Sequence, residues 1–170
     1  MEYKFKVNIV GDEGVGKTSL ISRFVYDVFS DKYIQTIGTN VHKKEVRVGA
    51  RRVTLMLWDI MGSHEFREVL SQSYFYGASA LICVADWTQQ QTLESVPEWV
   101  RVAEEVVKVR LPKVLLVNKA DLRDERAYTA REVAEVAKEI GARYYYFTSA
   151  KTGESVEAAF GKMATMLTKD

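Results

Sequence analysis

Apolar and polar positions change period along this chain, and each change marks a new element. From Lys4 to Val10 they alternate, which predicts a strand; from Ser19 to Tyr26 they are amphipathic at helical spacing, which predicts a helix beginning near Lys17. Asp27 to Gly38 is polar and without periodicity, a loop long enough to expect a function. Asn40 to Val48 and Arg52 to Asp59 read as strands joined by Gly49-Ala50, a connection so short that the two must run antiparallel. Ile60 to Tyr76 begins irregular and turns helical. Leu81 to Asp86 is a continuous apolar run with a polar end, the pattern of a strand buried on both faces.

The second half repeats this alternation. Gln91 to Val109 predicts one long helix, with Val96, Val100, Ala103 and Val107 on one side and Pro97 tolerated near its start. Lys113 to Asn118 is another buried strand. Thr129 to Ile140 is a helix with a capping box, Thr129 and Glu132, and a C-terminal glycine, Gly141. Arg143 to Thr148 is the last strand, with Tyr145 facing away from Tyr144 and Tyr146, and Glu154 to Leu167 the last helix. Strand and helix in alternation predict a parallel sheet with helices on both faces. The 170 residues, 47% of them hydrophobic, predict one domain, 1–170, and no linker or repeat interrupts them.

Charge adds only exclusions. Twenty-four basic and 23 acidic residues leave a net charge of +1, so nothing global draws the chain to nucleic acid or an anionic membrane. The lone cysteine, Cys83, excludes an intrachain disulfide and fits a reducing, cytoplasmic setting as a small buried hydrophobe. No stretch reaches the roughly 18 apolar residues of a membrane span. The N-terminus starts a strand rather than a signal peptide, and Glu2 excludes myristoylation.

Candidate chemistry begins between the first strand and helix, at GDEGVGKTS. The spacing Gly11-x-x-x-x-Gly16-Lys17-Thr18 lets backbone N–H groups turn inward on an anion at a helix N-terminus. It makes Gly14, Val15, Gly16, Lys17, Thr18 and Ser19 phosphate-binding candidates, with Lys17 on the β- and γ-phosphates and the Thr18 hydroxyl on Mg²⁺. Three further motifs end predicted strands. Trp58-Asp59-x-x-Gly62 offers a carboxylate to Mg²⁺, directly or through water, and a Gly62 N–H to a terminal phosphate. Asn118-Lys119-Ala120-Asp121 offers a carboxylate that accepts two hydrogen bonds, which suits the adjacent N–H donors of guanine and not adenine; the Lys119 stem would lie along the base and Asn118 tie the motif in place. Ser149-Ala150-Lys151 has backbone N–H groups for a base carbonyl.

With these motifs in that order the chain resembles the small GTPases of the Ras superfamily over its whole length, most closely the Rab and Ras branches. GDEGVGKTS, YIQTIG, WDIMG, NKAD and TSAKTG carry the resemblance, supported by VADWT and SVEAAF. It implies the three-layer α/β fold of P-loop NTPases, with six strands, strand two antiparallel, and about five helices. It implies GTP or GDP bound with Mg²⁺, Thr36 closing on the metal with Thr18 and Asp59, and Phe29 packing on the guanine. It also implies two switch loops, about 27–39 and 60–76, that engage effectors, exchange factors and activating proteins, and a monomer.

The chain departs from that family where hydrolysis is concerned. DIMGS stands where the family has DTAGQ, so Ser63 takes the place of the glutamine that orients water, and Met61 that of a small alanine. Glu13 replaces a small residue near where an arginine finger would reach, and the first switch has no arginine. His64 is an alternative group for positioning water, whereas His42 reads as an edge-strand surface residue with no partner visible. The C-terminus shows no prenylatable cysteine and no basic run, so either there is no lipid anchor or a tail that would allow peripheral membrane recruitment lies outside this sequence. The expectation is a switch with slow hydrolysis. A GTP-loaded scaffold that scarcely hydrolyses is the alternative; a P-loop metabolic kinase or ATPase is disfavoured by the base motifs.

Overall fold

Six strands, β1 (Glu2–Val10), β2 (Thr39–Val48), β3 (Arg51–Ile60), β4 (Ala80–Asp86), β5 (Lys113–Asn118) and β6 (Tyr144–Phe147), form one sheet in the order β2-β3-β1-β4-β5-β6. The structure, a computed structural model, describes residues 2–33, 35–36 and 38–169, and for 66–70 the backbone alone. Only β2 against β3 is antiparallel, since a two-residue turn joins them; all other pairs are parallel and need crossovers. β2 is the edge, and its exposed Lys43 and Arg47 oppose pairing with another chain.

The helices are α1 (Lys17–Tyr26), α2 (His64–Phe75), α3 (Gln90–Glu94), α4 (Val96–Val107), α5 (Ala130–Ile140) and α6 (Val156–Leu167), with a 3-10 turn at Ala120–Glu125. They divide between the two faces as the strand pleat directs. Val7, Ile9, Leu55, Leu57 and Val84 point to α1 and α6, whereas Val10, Cys83, Ala85, Leu115 and Val117 point to α2 through α5. Each face is closed by large side chains. Phe24 of α1 stacks on Phe160 of α6 with centroids 4.3 Å apart, an aromatic pair contributing about 0.5–1.5 kcal/mol beyond its buried area. On the other face Trp99 is only 1% exposed. Tyr144 and Tyr146 pack toward α1 and α6, and Tyr145 faces away, as the strand period requires.

Several predicted boundaries move. The single helix expected over Gln91 to Val109 is two, broken at Ser95, because Pro97 has no N–H for the helical ladder and becomes instead the first turn of α4. That split makes six α-helices among the described residues where about five were expected. α4 also stops early, at Val107, where Lys108 turns left-handed with its N–H on the Glu104 carbonyl. The capping box of α5 is present in full: the Thr129 side chain accepts from the Glu132 N–H, and the Glu132 carboxylate accepts from the Thr129 N–H. His42 has a partner the sequence did not reveal, the Tyr26 hydroxyl 3.1 Å from its Nδ1. Cys83 is fully buried and its thiol is pushed up to about 12 by desolvation, which leaves it no thiolate at neutral pH.

The strand order reverses at β1, whose neighbours β3 and β4 arrive by separate crossovers. A crevice therefore opens beyond the carboxyl ends of the central strands, which is where open α/β sheets bind ligands.

Candidate functional site

The loop after β1 lies in that crevice. Gly16 caps α1 in a left-handed conformation, φ 100°, and offers no side chain to the first-turn N–H groups, so these are left to an anion. A Cβ at Gly16 would sit 2.3 Å from Asn118 Nδ2, which fixes glycine there by close approach. Lys17 is buried, and its Nζ donates to the carbonyls of Gly11 at 2.7 Å and Asp12 at 2.8 Å. Burial lowers its pKa to about 8 against the opposing pull of Asp59, Asp12 and Glu13. A phosphate beside it would supply the counter-charge this ammonium lacks.

One residue on, the Thr18 hydroxyl donates to Asp59 Oδ2 at 2.5 Å and lies 2.8 Å from the Thr36 hydroxyl. Asp59, the last residue but one of β3, has no exposed surface, its Oδ1 has no hydrogen-bond partner, and desolvation raises its pKa even though Thr18, Lys17, His42 and Thr36 lower it. Two hydroxyls and a buried carboxylate with an orphaned oxygen form an all-oxygen donor set. That chemistry fits Mg²⁺, which prefers oxygen and completes its shell with water and phosphate. No group of three or more His, Cys, Asp or Glu residues suited to a metal occurs among the described residues, so a carboxylate-rich or thiolate centre is not offered.

The far end of the crevice is built from the ends of β4, β5 and β6. Asn118 donates from Nδ2 to the Val15 carbonyl at 3.0 Å and accepts from the Thr148 hydroxyl at 3.2 Å, so it ties the phosphate loop to the loop after β6. Asp121 accepts from the Ser149 hydroxyl at 2.7 Å, which orients one oxygen. Lys119, left-handed at φ 67°, reaches Asp86 Oδ2 at 2.7 Å. Arg23 of α1 donates to the carbonyls of Ala150 and Lys151, both at 2.7 Å, and so fixes a turn that lines the crevice. Asn118, Lys119, Asp121, Ala150 and Lys151 line one cleft of about 590 Å³ together with Gly14, Lys17, Ser19 and Phe29, whereas Thr148, Ser149, Asp86 and Arg23 support it from outside.

The segments expected from the resemblance to act as switches, 27–39 and 60–76, meet the loop at its acidic residues. The Tyr33 hydroxyl donates to Glu13 Oε1 at 2.8 Å across the mouth of the cleft. Its pKa is raised to about 12, by desolvation first and by Glu13 second. Gly62 lies against the Asp12–Glu13 peptide so closely that a Cβ would come 2.4 Å from the Glu13 nitrogen. His64 Nε2 is 3.2 Å from Asp12 Oδ1, so the imidazole proposed for water positioning is engaged with a carboxylate. Ser63 lies between the two, half-buried. Trp58 is half-exposed rather than buried under the sheet, with Lys6 Nζ 3.8 Å from its ring centre. Ile37, a candidate partner anchor, lies outside the described residues.

Sequence reasoning missed Asp12, Arg23, Asp86 and Trp99. Asp86 carried a signal, the polar end of an apolar strand; the other three carried none, because their partners are remote in sequence.

This arrangement can be set beside known proteins. The model of the Ras family matches residues 6–169. The chain belongs to the Ras family. Among curated relatives it is 34% identical over 163 residues to the Ras-related protein Rab-13 of Mesocricetus auratus, covering 96% of this chain and 79% of that one. It is 35% identical over 167 residues to the Ras-related protein Rab-1 of Theileria annulata, covering 98% and 75%. Within the superfamily it is therefore Rab-like, and the six-stranded sheet with β2 antiparallel is the small-GTPase fold. No helix among the described residues is long and apolar enough to cross a membrane.

Proposed function

We propose that this chain is a guanine-nucleotide switch that binds GTP and GDP with Mg²⁺, hydrolyses GTP slowly, and presents residues 27–39 and 60–76 to protein partners. The observation that carries the reading is a single cleft lined by an acceptor carboxylate, Asp121, at one end and by Lys17, Thr18 and Thr36 at the other, with the buried Asp59 carboxylate directly behind Thr18. Asp121 and the Ser149–Lys151 turn take the base, Phe29 packs beside it, and Lys17 with the N–H groups of residues 14–19 takes the phosphates. Mg²⁺, held by Thr18, Thr36 and Asp59, would neutralise phosphate charge during hydrolysis.

Slow hydrolysis follows from what lines the mouth. A serine at residue 63 is too short to orient water as an amide side chain would. Glu13, bridged to Tyr33, puts a carboxylate where a cationic finger would approach. These same residues favour the scaffold reading, in which GTP is held and scarcely hydrolysed. A single-turnover phosphate-release assay separates the two: measurable release supports the switch, and none over hours supports the scaffold. Partners dock on the surface where Trp58, Val41 and Tyr33 lie partly or largely exposed.

Competition for a fluorescent GDP analogue tests the base assignment. GTP and GDP should displace it at similar concentrations, and ATP should fail even in large excess. Equal displacement by ATP would overturn the assignment of Asp121.

A further inference from the structure

The second residue of the phosphate loop is an aspartate that the nucleotide reading leaves unused. Asp12 is buried, and its Oδ1 accepts from the Trp99 indole N–H at 2.9 Å. The same oxygen lies 3.2 Å from His64 Nε2, and the His64 ring sits 6.3 Å from that of Trp99. Three elements meet there: the loop, the buried face of α4, and the first residue of α2. On the other side of Ser63, Gly62 packs on the peptide that Asp12 itself forms, with a built Cβ only 2.6 Å from the Asp12 carbonyl carbon.

We propose that Asp12 is a positioning residue for the start of the second switch: anchored by Trp99, it holds Gly62 and Ser63 against the phosphate loop by way of His64. A carboxylate oxygen has the lone pairs to accept from two N–H donors at once, which a small residue at this position could not do. Trp99 is locked in the core, so it fixes the carboxylate, and the carboxylate in turn fixes a half-exposed imidazole. Ser63 is thereby pinned between two contacts made within the chain. Neither needs a terminal phosphate, so residues 62–64 stay docked with GDP bound as well as with GTP. His64 in this arrangement serves the loop and not the attacking water. The inference rests on the guanine-nucleotide reading for the state it describes, and Asp12 itself touches no reacting atom.

Amide hydrogen exchange at residues 62–65 in the GDP-bound chain tests it. D12A and H64A should each raise exchange there about tenfold, and the double variant no further than either alone, since both cut one link. D12N keeps an amide carbonyl for both donors and should stay near wild type; W99F, which loses the N–H but keeps the ring plane, should loosen the segment. Additive effects of D12A and H64A, unchanged exchange in either, or a D12N variant as labile as D12A would overturn the proposal. H64A changes a half-exposed side chain and carries the test if D12A fails to fold. Should the wild type bind no GDP, the nucleotide reading falls, and the same comparison on the nucleotide-free chain still decides the tether.

Discussion

The two ends of the cleft are built differently. At the base end each recognition group is held by a second one: Asn118 by Thr148 and Val15, Asp121 by Ser149, Lys119 by Asp86, and the Ser149–Lys151 turn by Arg23. Asp86 and Asn118 end strands buried on both faces, β4 and β5, and the Ser149–Lys151 turn follows the partly exposed β6. At the other end residues 27–39 and 60–76 touch the loop through a few contacts, Tyr33 from an irregular segment on Glu13 and His64 from the first turn of α2 on Asp12. The difference teaches that one end of the cleft is held by many mutual supports and the other by few, so on the proposed reading single substitutions should alter contacts at the second end most readily.

Removing the loop lysine, which faces the phosphates at the end opposite Asp121, should have the largest effect. Lys17→Ala removes a buried ammonium that phosphates would pair with, so GTP and GDP should both weaken by about 2–3 kcal/mol, roughly 30- to 150-fold. Thr18→Asn should weaken GTP more than GDP, because it acts through the metal. Titration with both nucleotides checks the pair, and equal losses in Thr18→Asn would contradict the metal assignment.

Next in size is the base end. Asp121→Asn turns one acceptor into a donor, and guanine discrimination should fall by about 1–3 kcal/mol with xanthine now preferred. Competition between GDP and XDP measures this. Because Ser149 holds the carboxylate from behind, Ser149→Ala should act in the same direction and less.

At the less supported end the expected effects are smaller. Ser63→Gln should speed single-turnover hydrolysis about tenfold if the amide reaches the water, a barrier change of about 1.4 kcal/mol. A wild type as fast as this variant would mean that another group orients the water. Smallest is Tyr33→Phe, which deletes one exposed hydrogen bond to Glu13 and should speed GDP release only a few-fold, about 0.5–1 kcal/mol. Stopped-flow release with the GDP analogue reads it, and Glu13→Gln should give a similar change.

The same division governs what the sequence makes legible. The recognition groups of the base end are encoded in short spacings, NKAD and SAK, each at a strand end, so fold and ligand contacts follow from local pattern. The loop glycines and Lys17 are legible for the same reason. Asp12 was passed over in favour of Glu13, because its partners Trp99 and His64 stand 87 and 52 positions away and no period links them. Tyr26 and His42 meet by the same kind of long-range register. The helix over Gln91 to Val109 failed at a local feature: its apolar period continues through Ser95, and period alone gives no sign of the backbone interruption that Pro97 imposes.

Asn118 has one further consequence. Its side chain bonds the phosphate loop to the loop after β6, so the distance from Asp121 to Lys17 is set by the protein before any ligand arrives. The cleft is therefore a caliper of fixed span. A ligand whose covalent length matches that span meets its second end at an effective concentration far above any free one, whereas guanosine and pyrophosphate supplied separately must each be immobilised on its own. On the guanine-nucleotide reading, the covalent link between base and phosphates would raise affinity without adding a contact.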